Sequence, residues 1–197
     1  MKKKPIKKKK SETLLSVLQK IQKDTDSMRS ALALLVAGNQ FVKAVDEIPK
    51  AWKTLSIGGK TRGELSKGIQ IPEYTNSVLD KVEFPSSTEE ISFEIKTLSE
   101  LGFTTSPTFR EFINFIKDSK EYDICKTHDA LYLRNEYTDQ PKGEWIRLAM
   151  ENIPDFGGGP SVFGLGRGDD GVWLDGNWYS DGDKLLLGGL WVVRLRK

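Results

Sequence analysis

Apolar residues recur at Leu14, Leu18, Ile21, Met28, Leu32 and Leu35, spaced alternately by four and three, with Thr25 the one break. That spacing predicts an amphipathic helix, which Ser11 would cap and Glu12 would favour in the first turn. The stripe covers about three heptads, near the shortest run that supports a coiled coil. Leu15, Val17, Ala31 and Leu34 widen the apolar face beyond a two-position seam. Packing within its own domain is therefore the first reading, and assembly with a second copy through residues 11–36 the other. Gly38 and Asn39 interrupt the helix, and a second helical stretch from Gln40 to about Thr54 is kinked or split by Pro49.

Gly58 to Pro72 is Gly-rich and polar, which suits a connection, with a short helix expected near Asn76 to Val82. Pro85 to Glu90 combines turn residues with a helix start. Ile91, Ile95, Leu98 and Leu101 then follow at helical spacing, up to a stop at Gly102. A second helix opens at Thr105 or Ser106, with Pro107 in its first turn, and sends Phe109, Phe112, Ile113 and Ile116 to the core. Beyond Tyr122 the period shortens. Ala130 to Leu133 and Trp145 to Leu148 are expected as strands joined by the turn Asp139 to Gly143, with further strands at Ser161 to Leu165, Val172 to Leu174 and Leu190 to Leu195.

The expected class is α+β: an N-terminal helical region followed by a small α+β domain with short, mainly antiparallel strands. The boundaries are residues 1–10 as a disordered basic arm, 11–84 as a helical docking or oligomerisation region, and 85–197 as the α+β domain.

Composition narrows the classes. With 38% hydrophobic and 10% aromatic residues in 197, the chain can bury an ordinary core. Its one cysteine, Cys125, forms no internal disulfide, which favours a reducing, cytoplasmic setting. No apolar run approaches the roughly 18 to 20 residues a spanning helix needs, so no transmembrane segment is expected. The basic start leads into a polar Ser-Glu-Thr, which is not an export signal. Net charge is only +2, yet Lys2, Lys3, Lys4, Lys7, Lys8, Lys9 and Lys10 crowd the first ten residues. Such an arm could hold phosphates on nucleic acid or an anionic surface.

Gly157, Gly158, Gly159, Gly164, Gly166 and Gly168 suggest a phosphate loop, but no Gly-Lys-Ser/Thr ending follows and no dinucleotide spacing is present. Asp169, Asp170, Asp175, Asn177, Asp181 and Asp183 crowd one region, as calcium ligands do. An EF-hand register from Asp175 fails, because Tyr179 falls on a ligand position and Ser180 on the glycine. Solvated turns are the simpler reading, and neither a metal nor a cofactor is expected. His128 is the one histidine; with Cys125 three residues earlier it makes a weak case for a nucleophile pair.

Aromatic residues carry the stronger signal. Four of the five tryptophans follow residue 140, interleaved with Arg147, Arg167, Arg194 and Arg196. Tryptophan and arginine dominate binding hot spots. Trp145, Trp173 and Trp191 are expected to be mainly structural, whereas Trp178 and Tyr179, among turn-forming neighbours, should be exposed. The candidate ligand-binding set is Trp178, Tyr179, Asn177, Asp175, Asp181, Asp183 and Arg167.

The closing segments, Val172 to Asp183 and Leu187 to Lys197, carry two resemblances. From about Thr88 onward the chain resembles small uncharacterised bacterial and phage proteins that end in a tryptophan loop, an apolar strand and Arg-Lys, a resemblance that implies no activity. The same tail is similar to the end of the C-type-lectin-like fold of formylglycine-generating enzymes and retroelement-diversified receptors. Gly176, Asn177 and Trp178 match its Gly-Gly-Ser-Trp loop, while Gly189, Leu190 and Trp191 match its closing strand. Asp175, Asn177 and Trp191 depart from the pattern, and the enzymes' catalytic cysteines are absent. This resemblance implies ligand binding around Trp178 rather than catalysis. The leading expectation is thus a non-enzymatic binding module with a protein or other ligand as partner. Nucleic-acid or surface binding by the lysine arm comes second, and an enzyme using Cys125 or an Asp pair third.

Overall fold

The computed structural model describes residues 51–197; the heptad stripe, the lysine arm and most of the expected second helix lie outside the described residues. A compact unit runs from Lys50 to Lys197. Its frame is an eight-stranded mixed sheet: β1 (Lys53–Ile57), β2 (Glu89–Thr97), β3 (Tyr122–Asp123), β4 (Trp145–Leu148), β5 (Ile153–Pro154), β6 (Pro160–Arg167), β7 (Val172–Trp178) and β8 (Leu190–Leu195). The principal order is β1-β2-β8-β4-β6-β5, with β3 also on β8 and β7 on β6. All pairings are antiparallel except β4 with β8, where Arg147 lies beside Trp191. Four short helices complete the unit: α1 (Arg62–Leu65), α2 (Glu73–Leu79), α3 (Phe109–Asp118) and α4 (Asp129–Glu136).

The expected α+β arrangement is overturned, since one mixed sheet dominates and the helices are short. Two segments account for most of the difference. Glu89–Thr97 is a strand because Ile91, Phe93 and Ile95 alternate with polar neighbours, a period-2 pattern of β-branched and aromatic residues. Leu98 and Leu101, which complete the apparent helical spacing, belong to the turn that follows. There Thr97 and Glu100 form reciprocal capping bonds and Gly102 takes a positive φ of 94°.

Conversely, Ala130 to Leu133 is helical. A short unbroken apolar run fits either a central strand or a helix buried on every side. Here α4 touches β1, β6, β7 and α1, and every residue from Asp129 to Arg134 is buried. Within 58–72, α1 replaces part of the expected connection. It is closed by a capping box in which Thr61 and Glu64 satisfy each other's backbone N–H. The expected 107–116 helix is present as α3, though its cap is Thr108, paired with Glu111 in a second capping box. β7 runs four residues further than expected, so Asp175 to Trp178 is strand rather than loop.

Side chains three apart on a strand point to opposite faces. Trp191 meets Phe112 of α3, with ring centres 4.8 Å apart, whereas Arg194 meets Asp129 of α4. The sheet is therefore covered by α3 on one face and α4 on the other, which explains why the interiors of β6 and β8 are continuously buried. Among the described residues no helix is long and apolar enough to cross a membrane.

Candidate functional site

Strand register places Trp191 (β8), Arg147 (β4), Gly164 (β6) and Asp175 (β7) in one row across the face that α3 covers. The adjacent row holds Trp145, Gly166 and Trp173. Helix α3 shields only the Trp191 end. There Phe109 stacks on Tyr179 with centres 5.7 Å apart, and Tyr179 in turn leans on Trp191 at 5.4 Å. Past Tyr179 the face opens into a cleft of about 540 Å³ that wraps the edge of β7 and is lined by Tyr74, Arg147, Asp175, Gly176, Asn177, Trp178 and Tyr179.

Glycines on β6 make room for what lies over them. A Cβ on Gly164 would stand 2.6 Å from Asn177 Oδ1, and one on Gly166 would stand 2.7 Å from the Trp145 indole. Only glycine lets those side chains lie down on the sheet. On one wall the Arg147 guanidinium rests over the Tyr179 ring, 5.8 Å from its centre. Its Nε is buried without a hydrogen-bond partner, as is Asn177 Oδ1. Among the described residues Arg147 has no carboxylate partner.

Opposite, Asp175 is held by the Tyr74 hydroxyl, by Thr75 Oγ1 at 3.3 Å and by the Gly176 N–H at 2.8 Å. Burial and the neighbouring carboxylate push the Tyr74 phenol up to about 12, so it stays protonated and keeps donating to Asp175. At the rim Trp178 is 69% exposed, and it points to the other face of β7, where its ring lies over Gly159.

Of the sequence-derived set, Asp175, Asn177, Trp178 and Tyr179 come together in this cleft. Tyr179 is half-buried against the core rather than displayed beside Trp178. The remaining three lie elsewhere. Asp181 pairs with Arg110 at 2.8 Å, and Asp183 accepts from the Ser180 N–H at 2.6 Å, so both fasten the approach to α3. Arg167 donates to the Thr138 and Gln140 carbonyls at the far end of β6. Lys2, Lys3, Lys4, Lys7, Lys8, Lys9 and Lys10 fall outside the described residues.

Arg147 and Tyr74 are functional candidates that the sequence did not single out. Isolated glycines within the β6 pattern were the available signal, because they mark a close approach on a strand.

The other sequence candidates resolve locally. Gly157 to Gly159 form the turn between β5 and β6, where Asp155 accepts from the Gly157 and Gly159 N–H groups, both at 2.8 Å. Asp170 accepts from Trp173 Nε1 at 3.0 Å, and Asp169 pairs with Lys142 at 3.0 Å. Among the described residues no three His, Cys, Asp or Glu side chains are grouped to hold a metal ion.

Cys125 and His128 line a second depression of about 850 Å³ together with Lys81 and Glu151. Cys125 is only 2% exposed, and its thiol donates to the Val192 carbonyl at 3.3 Å. Burial, with Asp129 nearby, pushes the thiol well above its ordinary range, while burial pulls His128 down. A protonated, enclosed thiol is a poor nucleophile. A thiol-reactive chromogenic disulfide is accordingly expected to leave native Cys125 unmodified and to label it fully in denaturant; fast labelling of the folded protein would contradict this placement.

Comparison with known proteins returns no matching family model, no matching curated protein and no matching solved structure.

Proposed function

We propose that the unit is a non-enzymatic binding module whose ligand seats in the Arg147–Asp175–Trp178 cleft. The observation that carries this reading is the Arg147 Nε–H, buried without an acceptor beside a cleft that wraps the edge of β7, with the exposed Trp178 indole on that strand's other face. Buried polar atoms are nearly always hydrogen-bonded, and leaving one unpaired costs about 1–3 kcal/mol, so an unpaired donor beside an open cleft favours a ligand that completes it. Trp178, on the rim of a rigid strand, supplies a flat contact with little conformational freedom to lose.

The test is a screen of a mixed library of small polar compounds and peptides against the full chain, read by the Trp178 indole N–H signal in NMR. The expected result is compounds that move that signal saturably, with affinity falling at least about tenfold in both W178A and R147A. Both variants should keep the parent fold by circular dichroism, because neither side chain belongs to the central core. A library that never moves the Trp178 signal, or ligands bound equally well by both variants, would refute the reading.

A further inference from the structure

We infer that the cleft takes an extended peptide, which adds to the edge of β7 and sends a glutamate toward Arg147. This rests on the binding reading above and names its ligand class. Among the strands β7 pairs with β6 alone, so its outer side is a sheet edge. Such an edge is a template for a further strand, and most of this one is blocked. Gln70 accepts from the Leu174 N–H and donates to the Val172 carbonyl, both at 3.0 Å, and Thr75 Oγ1 accepts from the Gly176 N–H at 2.9 Å. The protection stops there. The Tyr179 N–H turns inward to the Pro160 carbonyl, so the alternation of the ladder turns the Trp178 main chain outward. Among the described residues the Gly176 carbonyl and the Trp178 N–H and carbonyl have no hydrogen-bond partner. Free main-chain groups along one edge are what an added strand pairs with.

The two faces of β7 then select alternate side chains of the peptide. The residue level with Trp178 lies beside the exposed indole, on the face where that ring covers Gly159, and an apolar side chain fits there. The residue level with Gly176 meets the Tyr74 ring and must be small. Between them, the residue level with Asn177 points to the opposite face, toward Arg147. Three strand spacings, from the peptide across β7 and β6 to β4, put about 14 Å between its main chain and that of Arg147. An arginine and a glutamate reaching toward each other bridge that gap. Gly164 has no side chain and Asn177 lies down against it, which leaves the path clear. Charge fixes the choice of an acid. The Asp175 carboxylate is already supplied by Tyr74, Thr75 and the Gly176 N–H, whereas the Arg147 Nε–H lacks an acceptor. A carboxylate meets that need with charged hydrogen bonds, and a basic side chain would add a like charge.

The experiment titrates the full chain with the capped peptide acetyl-Ser-Tyr-Glu-Ala-Glu-Tyr-Ser-amide, whose symmetric order presents the apolar, acidic, small pattern in either direction along β7. NMR follows the Trp178 main-chain N–H. The expected result is saturable movement of that signal together with slower hydrogen exchange. Replacing both glutamates by glutamine should weaken binding by at least about tenfold in the parent and change little in R147Q, which has no charge left to lose. Of two peptide versions N-methylated at alternate residues, one should lose at least about tenfold and the other bind as before, because only every second amide of an added strand faces β7. Equal loss in both versions, or none in either, would overturn strand addition. A glutamine peptide that binds the parent as tightly would overturn the acidic assignment. Exchange of the Trp178 N–H that slows with protein concentration alone would give the edge to a second copy of the chain and overturn the peptide partner. If the peptide leaves Trp178 unmoved while compounds in the mixed library move it, the peptide assignment falls and the binding reading stands; if nothing moves it, both fall.

Discussion

Urea denaturation of an R194A variant is expected to show a loss of about 3–5 kcal/mol relative to the parent, the usual cost of removing one partner from a buried ion pair. Asp129 is completely buried and Arg194 nearly so. Arg194 donates through Nε at 2.7 Å and Nη2 at 2.6 Å, one bond to each oxygen of the carboxylate, which also accepts from the Lys126 N–H at 2.8 Å. Burial opposes the Arg194 charge, yet the Asp129 carboxylate outweighs it and holds the guanidinium above its ordinary range. Truncating the arginine strands a carboxylate between α4 and β8, the contact that fastens the buried helix to the centre of the sheet. Against a typical total of about 5–15 kcal/mol, that loss is a large share. A double variant, D129L/R194M, should recover most of it, because two apolar groups of similar volume leave no orphan charge. A loss below about 1 kcal/mol in R194A would mean that Asp129 finds another partner, and the pair would not be the fastening argued here.

That pair also marks what the sequence could and could not convey. Arg194 sits in an apolar strand and Asp129 opens an apolar run, and each looks misplaced until the fold joins residues 65 positions apart. Elements whose signals are local were legible. α3 carries its own capping box and a clean apolar stripe, and β4, β6 and β8 fall where β-branched and aromatic runs lie between turn residues. Elements whose identity depends on their surroundings were not. Ile91 and Ile95 fit both periods, and Ala130 to Leu133 fits a central strand as well as a helix enclosed by sheet.

The cleft divides in the same way. Asp175, Asn177 and Trp178 stood out because an aromatic among turn-forming residues is unusual. Arg147 comes from β4 and Tyr74 from α2, and only the register across Gly164 and the docking of α2 bring them to the same place.

Replacing Trp191 by alanine should destabilise the protein by about 3–5 kcal/mol, the range for removing a large aromatic from a packed core. Trp191 is 1% exposed and is enclosed by Phe109, Phe112 and Tyr179, with ring centres 4.8–6.3 Å away. The effect should also reach the cleft. Tyr179 leans on Trp191, and Arg147 rests on Tyr179, so a cavity at Trp191 removes the support that positions the guanidinium. W191A should therefore weaken binding at the Trp178 signal although Trp191 touches no ligand, while W191F, which keeps a ring in place, should retain most of both properties. A double-mutant cycle with Y179A measures the link directly. Residues in contact commonly couple by about 0.5–3 kcal/mol. Coupling in that range, together with reduced binding in W191A, would show that the aromatic layer under α3 positions Arg147; additive stabilities with unchanged binding would show that the core and the cleft are independent.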